Sequence, residues 1–156
     1  MTRILKYLKV LLVAMVPVVE LRGAIPFGVT HEGLPLFGTI VAAVIGNMIP
    51  VPFIILFIRP VFEWMKKKSR FYRRIAEKME AKAERNAEKI KKYELFGLLL
   101  LVAIPLPGTG AWTGALVAAL FDIRLKHAVP VIFIGVVIAA AAVSLITFGA
   151  KALFGI

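Results

Sequence analysis

Charged side chains divide the chain into long apolar stretches and one dense polar block. Residues 34–58 run for 25 positions without a charge, 95–121 for 27, and 128–150 for 23. The hydrocarbon core of a bilayer takes about 20 apolar residues of helix, so each stretch is long enough to cross. A fourth stretch, 10–30, is apolar but carries Glu20 and Arg22. Between 66 and 92 lie twelve Lys and Arg with four acids, Glu77, Glu80, Glu84 and Glu88. From Glu63 to Tyr93 there is no Pro or Gly, and Lys, Glu, Ala and Arg dominate, all good helix formers. Ala76, Met79, Ala83, Ala87 and Ile90 recur every three or four positions, which predicts one long helix with a thin apolar stripe.

The pattern repeats around this basic helix. Each half has an interrupted apolar segment followed by a clean one: 10–30 then 34–58, and 95–121 then 128–150. The interruptions read Pro17-Val-Val-Glu-Leu-Arg-Gly-Ala-Ile-Pro26 and Pro105-Leu-Pro-Gly-Thr-Gly-Ala-Trp-Thr-Gly114. Proline lacks the N–H that a helix interior requires, and glycine permits positive φ, so each string should unwind a helix near its middle. Unwound backbone at membrane depth persists only when it is buried in protein or lines a wet cavity. Broken segments at corresponding places in two halves point to a transporter binding site.

Two topologies satisfy the positive-inside rule. If both interrupted segments cross, there are four spans and both termini are cytoplasmic. If both are re-entrant hairpins, only 34–58 and 128–150 cross, and the halves are inverted. The middle helix, Arg59, Arg124 and Lys126 then give 15 basic residues on the cytoplasmic side, against Arg3, Lys6, Lys9 and Lys151 outside. Arg3, Lys6 and Lys9 before an apolar run look like the start of a secretory leader. Pro17 and Glu20 end that run and no small-x-small cleavage pattern follows, so the segment is expected to stay in the membrane.

Composition agrees with the pattern. The 156 residues are 60% hydrophobic, with a mean hydropathy of +0.88 and a net charge of +11. Of that charge, +8 belongs to the basic helix. There it suits a solvated or membrane-surface helix, or docking to anionic headgroups, better than nucleic acid, for which no recognition motif exists. There is no cysteine, the only serines are Ser69 and Ser144, and Asp122 is the only aspartate. With no nucleophile elbow, metal-ligand cluster or cofactor motif, the chain is not expected to be an enzyme or to carry a cofactor or metal. Any energy coupling would use an ion gradient, since no ATP motif is present.

The two strings, Pro17 to Pro26 and Pro105 to Trp112, resemble the two signatures of the small multidrug export family of prokaryotic membrane proteins. That family in turn is similar, more distantly, to the DedA/VTT membrane proteins. These are viewed as paired re-entrant hairpins with inverted symmetry, and some members move polyprenyl-phosphate or other lipids. The resemblance implies re-entrant hairpins and ion-coupled export of amphiphilic small molecules. The alternatives are a DedA-like flippase for anionic or polyprenyl-phosphate lipids, or a non-transporting membrane scaffold.

The fold expected is therefore an all-α integral membrane domain over 1–156. A first repeat (1–59), a basic cytoplasmic helix (60–94) and a second repeat (95–156) make up a multi-pass protein of the plasma membrane. Two such short halves enclose little volume, which favours a homodimer. Partners are membrane lipid and a small amphiphilic or anionic-lipid substrate. Glu20 and Arg22 would each cost about 2.5–3.5 kcal/mol at the centre of a lipid-facing helix, so they must face protein or water. Two positions apart, they converge only where the chain is unwound, as proton carrier and anion-binding group or as a static ion pair. Gly108, Thr109, Gly110 and Thr113 offer backbone N–H groups and hydroxyls that could receive an anion opposite them, or Gly110 and Gly114 could serve close helix packing. Trp112 is read as a packing or anchoring residue or as a stacking surface. The amide of Asn47 is expected to hydrogen-bond the broken loop or to contact substrate. The full candidate substrate- and ion-binding set is Glu20, Arg22, Gly23, Pro26, Asn47, Pro105, Pro107, Gly108, Thr109, Gly110, Trp112 and Thr113. Ser144 should bond back to its own helix, and His31 and His127 are loop histidines at segment ends.

Overall fold

The computed structural model describes residues 2–78, 81 and 93–149. Among the described residues every regular element is helical. In chain order they are α1 (Arg3–Met15), α2 (Glu20–Pro26, continued by a π turn over Phe27–His31), α3 (Leu36–Met48) and α4 (Pro50–Lys68). After these come α5 (70–78), α6 (Glu94–Ala103), α7 (Ala111–Leu120) and α8 (Leu125–Ser144, continued by a π turn over Leu145–Gly149).

The same local chemistry ends α1 and α6. A residue before proline is driven from the helical to the extended region by the proline ring. Val16, before Pro17, has φ −71° and ψ 127°. Ile104, before Pro105, has φ −81° and ψ 118°. The chain reverses after each stop. Lys6 and Lys9 of α1 reach Glu32, beyond the far end of α2, and Lys9 Nζ lies 2.9 Å from Glu32 Oε1. A methyl group added at Gly28 would come within 2.7 Å of Val10, so the arms of this first hairpin are in close contact. In the second hairpin, a Cβ on Gly114 of α7 would come within 2.5 Å of Val102 of α6.

Each hairpin packs on the long helix that follows it, through a matched pair of glycines. A Cβ on Gly46 of α3 would strike the carbonyl of Leu11 and the methyl of Ala14 in α1. A Cβ on Gly135 of α8 would strike Val102 and approach the carbonyl of Leu99 in α6. In both halves the glycine brings two helix backbones together along the C-terminal half of the first hairpin arm. The buried interior is rich in alanine, including Ala14, Ala24, Ala43, Ala111, Ala115, Ala118, Ala128 and Ala140. Phe37, Phe53, Phe57, Phe133 and Ile134 point outward. Small residues between helices and large apolar ones outside are the distribution expected in lipid, where close packing replaces the hydrophobic effect as the glue.

Leu36–Lys68 and Leu125–Gly149, of 33 and 25 residues, are long and apolar enough to cross a membrane. The first bends at Ile49, where Pro50 and Pro52 remove two helical N–H donors, and α4 turns to pack against α7. Arg59 of α4 fixes that contact. Its Nε donates to the Ala119 carbonyl at 2.9 Å and its Nη1 pairs with Asp122 at 2.9 Å.

The basic helix departs from expectation. Its first residues, 60–68, continue α4, and Ser69 interrupts the helix with φ −157° and ψ 140°. Serine is a strong N-cap because its hydroxyl accepts a free N–H of the next helix. Ser69 Oγ accepts from Phe71 N at 3.3 Å, and its carbonyl accepts from Arg73 N at 3.0 Å. The rest of the expected helix, 79–80 and 82–92, lies outside the described residues.

Candidate functional site

The two interruptions meet. The turn of the first hairpin, 16–19, and that of the second, 104–110, form the two sides of a cavity of about 520 Å³. The first turn is tight enough to force Val18 to φ 74° and Glu20 to φ 47°. A β-branched residue at positive φ is a genuine outlier, and such strain persists only where surrounding contacts hold it. The second turn uses glycine instead, with Gly108 at φ 80° and Gly110 at φ 123°.

Glu20 and Arg22 do not pair with each other; among the described residues each reaches across to the opposite hairpin. Glu20 is 3% exposed. Its Oε1 accepts from the backbone N–H of Trp112 at 3.0 Å, at the N-terminus of α7. The first N–H groups of a helix have no partner within it, and the helix dipole favours negative charge there. Of the N–H groups expected to receive an anion, that of Thr109 instead donates to the Leu106 carbonyl at 3.2 Å and that of Gly110 to the Leu101 carbonyl at 3.3 Å. Gly110 is so close that any side chain on it would collide with the Glu20 carboxyl group. Arg22 Nη1 donates to the Leu106 carbonyl and Nη2 to Thr109 Oγ1 at 2.7 Å. A third tie runs the same way: Trp112 Nε1 donates to the Met15 carbonyl at 3.1 Å. Met15 ends α1, and the last carbonyls of a helix are free to accept such a donor.

The threonines organise the second turn. Thr109 Oγ1 accepts from Arg22 and from Leu106 N, and its single proton faces the carbonyls of Ile104 and Leu106, each 2.7 Å away. Thr113 Oγ1 donates to the Gly108 carbonyl at 3.1 Å. These contacts fix the shape of the loop, and both side chains also line the cavity.

Of the sequence candidates, Glu20, Arg22, Pro105, Pro107, Gly108, Thr109, Trp112 and Thr113 line the cavity, and Gly110 abuts it through Glu20. Gly23 of α2 packs against Val19, and Pro26, three residues further along, receives the Thr30 hydroxyl on its carbonyl. Neither reaches the cavity. Asn47 is 1% exposed, and neither its Oδ1 nor its Nδ2 has a partner among the described residues, so the expected bond to the broken loop is not made. Pro17, Val18 and Leu116 complete the lining. Pro17 was legible as a helix breaker, but nothing local marks Val18 or Leu116. Gly114 follows the packing alternative, against Val102 and Leu98. Ser144 Oγ donates to the Ala140 carbonyl at 2.7 Å, as expected. His31 stacks on Phe27 at 5.4 Å, away from the cavity.

No curated protein and no solved structure matches the chain. A family model does: the one described as "Putative small multi-drug export protein" matches residues 20–142, from Glu20 inside the first interruption through the whole of the second and most of α8. Spanning most of the chain and the whole second half of the cavity, that match makes this a membrane protein of the small multi-drug export family.

Proposed function

We propose that the chain is a secondary transporter, not an enzyme, which exports amphiphilic small molecules in exchange for protons. The observation that carries this is the meeting of two helix breaks around a cavity containing one buried carboxylate and one guanidinium. Its volume is in the range of small-molecule sites, and its walls of Pro17, Val18, Pro105, Pro107 and Leu116 suit an apolar body.

In this reading both hairpins are re-entrant and the halves are inverted repeats. At 1.5 Å per residue, α1 is about 20 Å long and α6 and α7 about 15 Å each, short of a hydrocarbon core of about 30 Å. The Lys9–Glu32 contact holds the base of the first hairpin at one end of α3. The Arg59–Asp122 contact holds the base of the second beside the far part of α4. The matched Gly46 and Gly135 contacts support the repeat. The basic end, with Arg59, Arg124 and Lys126, is then cytoplasmic, and the tips meet near the midplane of the plasma membrane. A homodimer would shield the short halves.

Glu20 is the proton carrier. Its ionised form is held by the N-terminus of α7; protonation removes the charge that the N–H groups hold and loosens the contact between the tips. The hairpins can then rock apart on one side of the cavity, in the manner of alternating access between repeats. Arg22 orients a polar or anionic end of the substrate. An anionic lipid is the alternative substrate, favoured by a guanidinium beside apolar walls. A static scaffold is the second reading, favoured by the hydrogen bonds that already satisfy Glu20 and Arg22. The test uses proteoliposomes with pyranine trapped inside. Amphiphilic dyes or anionic lipid analogues that trigger proton movement support transport, and their chemistry identifies the substrate. Proton movement unchanged by any of them favours the scaffold.

A further inference from the structure

Where α4 ends, the chain carries a feature that the transport reading does not use. Ser69 is a single extended residue between two helices, so α5 is free to leave the axis of α4. On a helix of 3.6 residues per turn, Phe71, Tyr72 and Ile75 of α5 share one face. They are 68%, 46% and 43% exposed. Arg70, Arg73 and Arg74 lie on the other side, with Glu77 among them and paired to Arg73 at 3.6 Å, while Lys78, seven residues after Phe71, flanks the apolar face. One turn before the break, Trp64 is exposed and carries the Lys68 ammonium 4.4 Å above its ring.

We propose that α5 is an interfacial helix that docks on the anionic phospholipid headgroups of the leaflet in which α4 ends. Phe71, Tyr72 and Ile75 enter the boundary between headgroups and acyl chains, while the arginines and Lys78 hold phosphate oxygens above them. An apolar face opposite a basic one, on a helix leaving a spanning segment, is the composition that lies in a membrane surface. Three large apolar side chains on one face gain nothing from a soluble polyanion. A second copy of this helix would bring an equal positive charge against the first. The docking is independent of what the cavity carries, so either can fail alone.

The test is hydrogen exchange of residues 70–78 in the full chain, in nanodiscs holding one copy. One set contains phosphatidylcholine alone and the other phosphatidylcholine with phosphatidylglycerol. Each basic side chain near an anionic surface strengthens attachment roughly fivefold, and salt weakens it. Exchange should therefore slow in the phosphatidylglycerol discs and recover in high salt. In a variant carrying Arg70→Gln, Arg73→Gln and Arg74→Gln it should be the same in both sets. Unchanged exchange over 94–120 in that variant reports that the fold is intact. Equal rates for the parent chain in the two sets of discs would overturn the proposal. So would protection that appears only with two copies per disc, or that added RNA produces in neutral discs.

Discussion

Glu20 Oε1 lies 3.0 Å from the backbone nitrogen of Trp112, 92 positions later in the chain, and so caps a helix in the other half of the molecule. Arg22, two residues on, ties the same two hairpins together through Thr109 rather than forming a direct ion pair with Glu20. The two charges are separate links between the halves. Glu20→Gln and Arg22→Gln should each lower stability by about 1–3 kcal/mol, the usual worth of a hydrogen bond to a charged group. The double substitution should cost nearly the sum. A double variant more stable than either single one would mean that the two form a local ion pair. Thermal unfolding in detergent measures all three.

Gly110 tests the contact from the other side. Any Cβ there meets the Glu20 carboxyl group, and φ is 123°. Gly110→Ala should cost more than about 2 kcal/mol and expose the tips, since strain and collision add. Gly108→Ala has the positive φ but no atom within 4 Å, and should cost only about 1–2 kcal/mol. Equal melting temperatures for the two variants would contradict the close approach.

How much of this was legible in the sequence follows the range of the interactions involved. Pro17 and Pro105 announce both helix stops because their effect on the preceding residue is local. Ser69 is also a local signal, but the helix-forming residues on either side of it, from Glu63 to Tyr93, outweigh it in a composition reading. The partners of Glu20, Arg22 and Trp112 were not legible, since each lies across the fold and any buried carboxylate is compatible with several donors. The Lys9–Glu32 and Arg59–Asp122 ties were missed for the same reason. Asn47 was legible as an amide within an apolar span, but its burial and its lack of a partner are properties of the packing alone.

The absence of cysteine makes the topology directly testable. With hairpins that return to their own side, a cysteine at Thr2 should react with an impermeant reagent added to intact cells. Cysteines at Ala81 and Lys126 should react only after permeabilisation. Four full spans predict the reverse at Thr2 and Lys126.

The base of the first hairpin should respond to acid. The hydrogen bond from Lys9 holds the Glu32 carboxyl below its ordinary value of 4.5. A lowered carboxylate contributes stability that is complete above the ordinary value and is lost as pH falls through the lower one. Hydrogen exchange of residues 27–34 should accelerate between about pH 5 and pH 2 beyond its intrinsic change. Glu32→Gln should lack that transition and exchange faster at neutral pH.

The central claim, that Glu20 carries the coupling proton, is tested most directly by pH-driven uptake in proteoliposomes of the parent chain and Glu20→Gln. The substitution keeps the size of the side chain and removes its titration. The account predicts a variant that folds and inserts, still exchanges substrate at equal pH, and no longer accumulates it when a pH gradient is imposed. A folded Glu20→Gln protein that accumulates substrate with unchanged pH dependence would contradict it, and would make Glu20 a structural cap of α7.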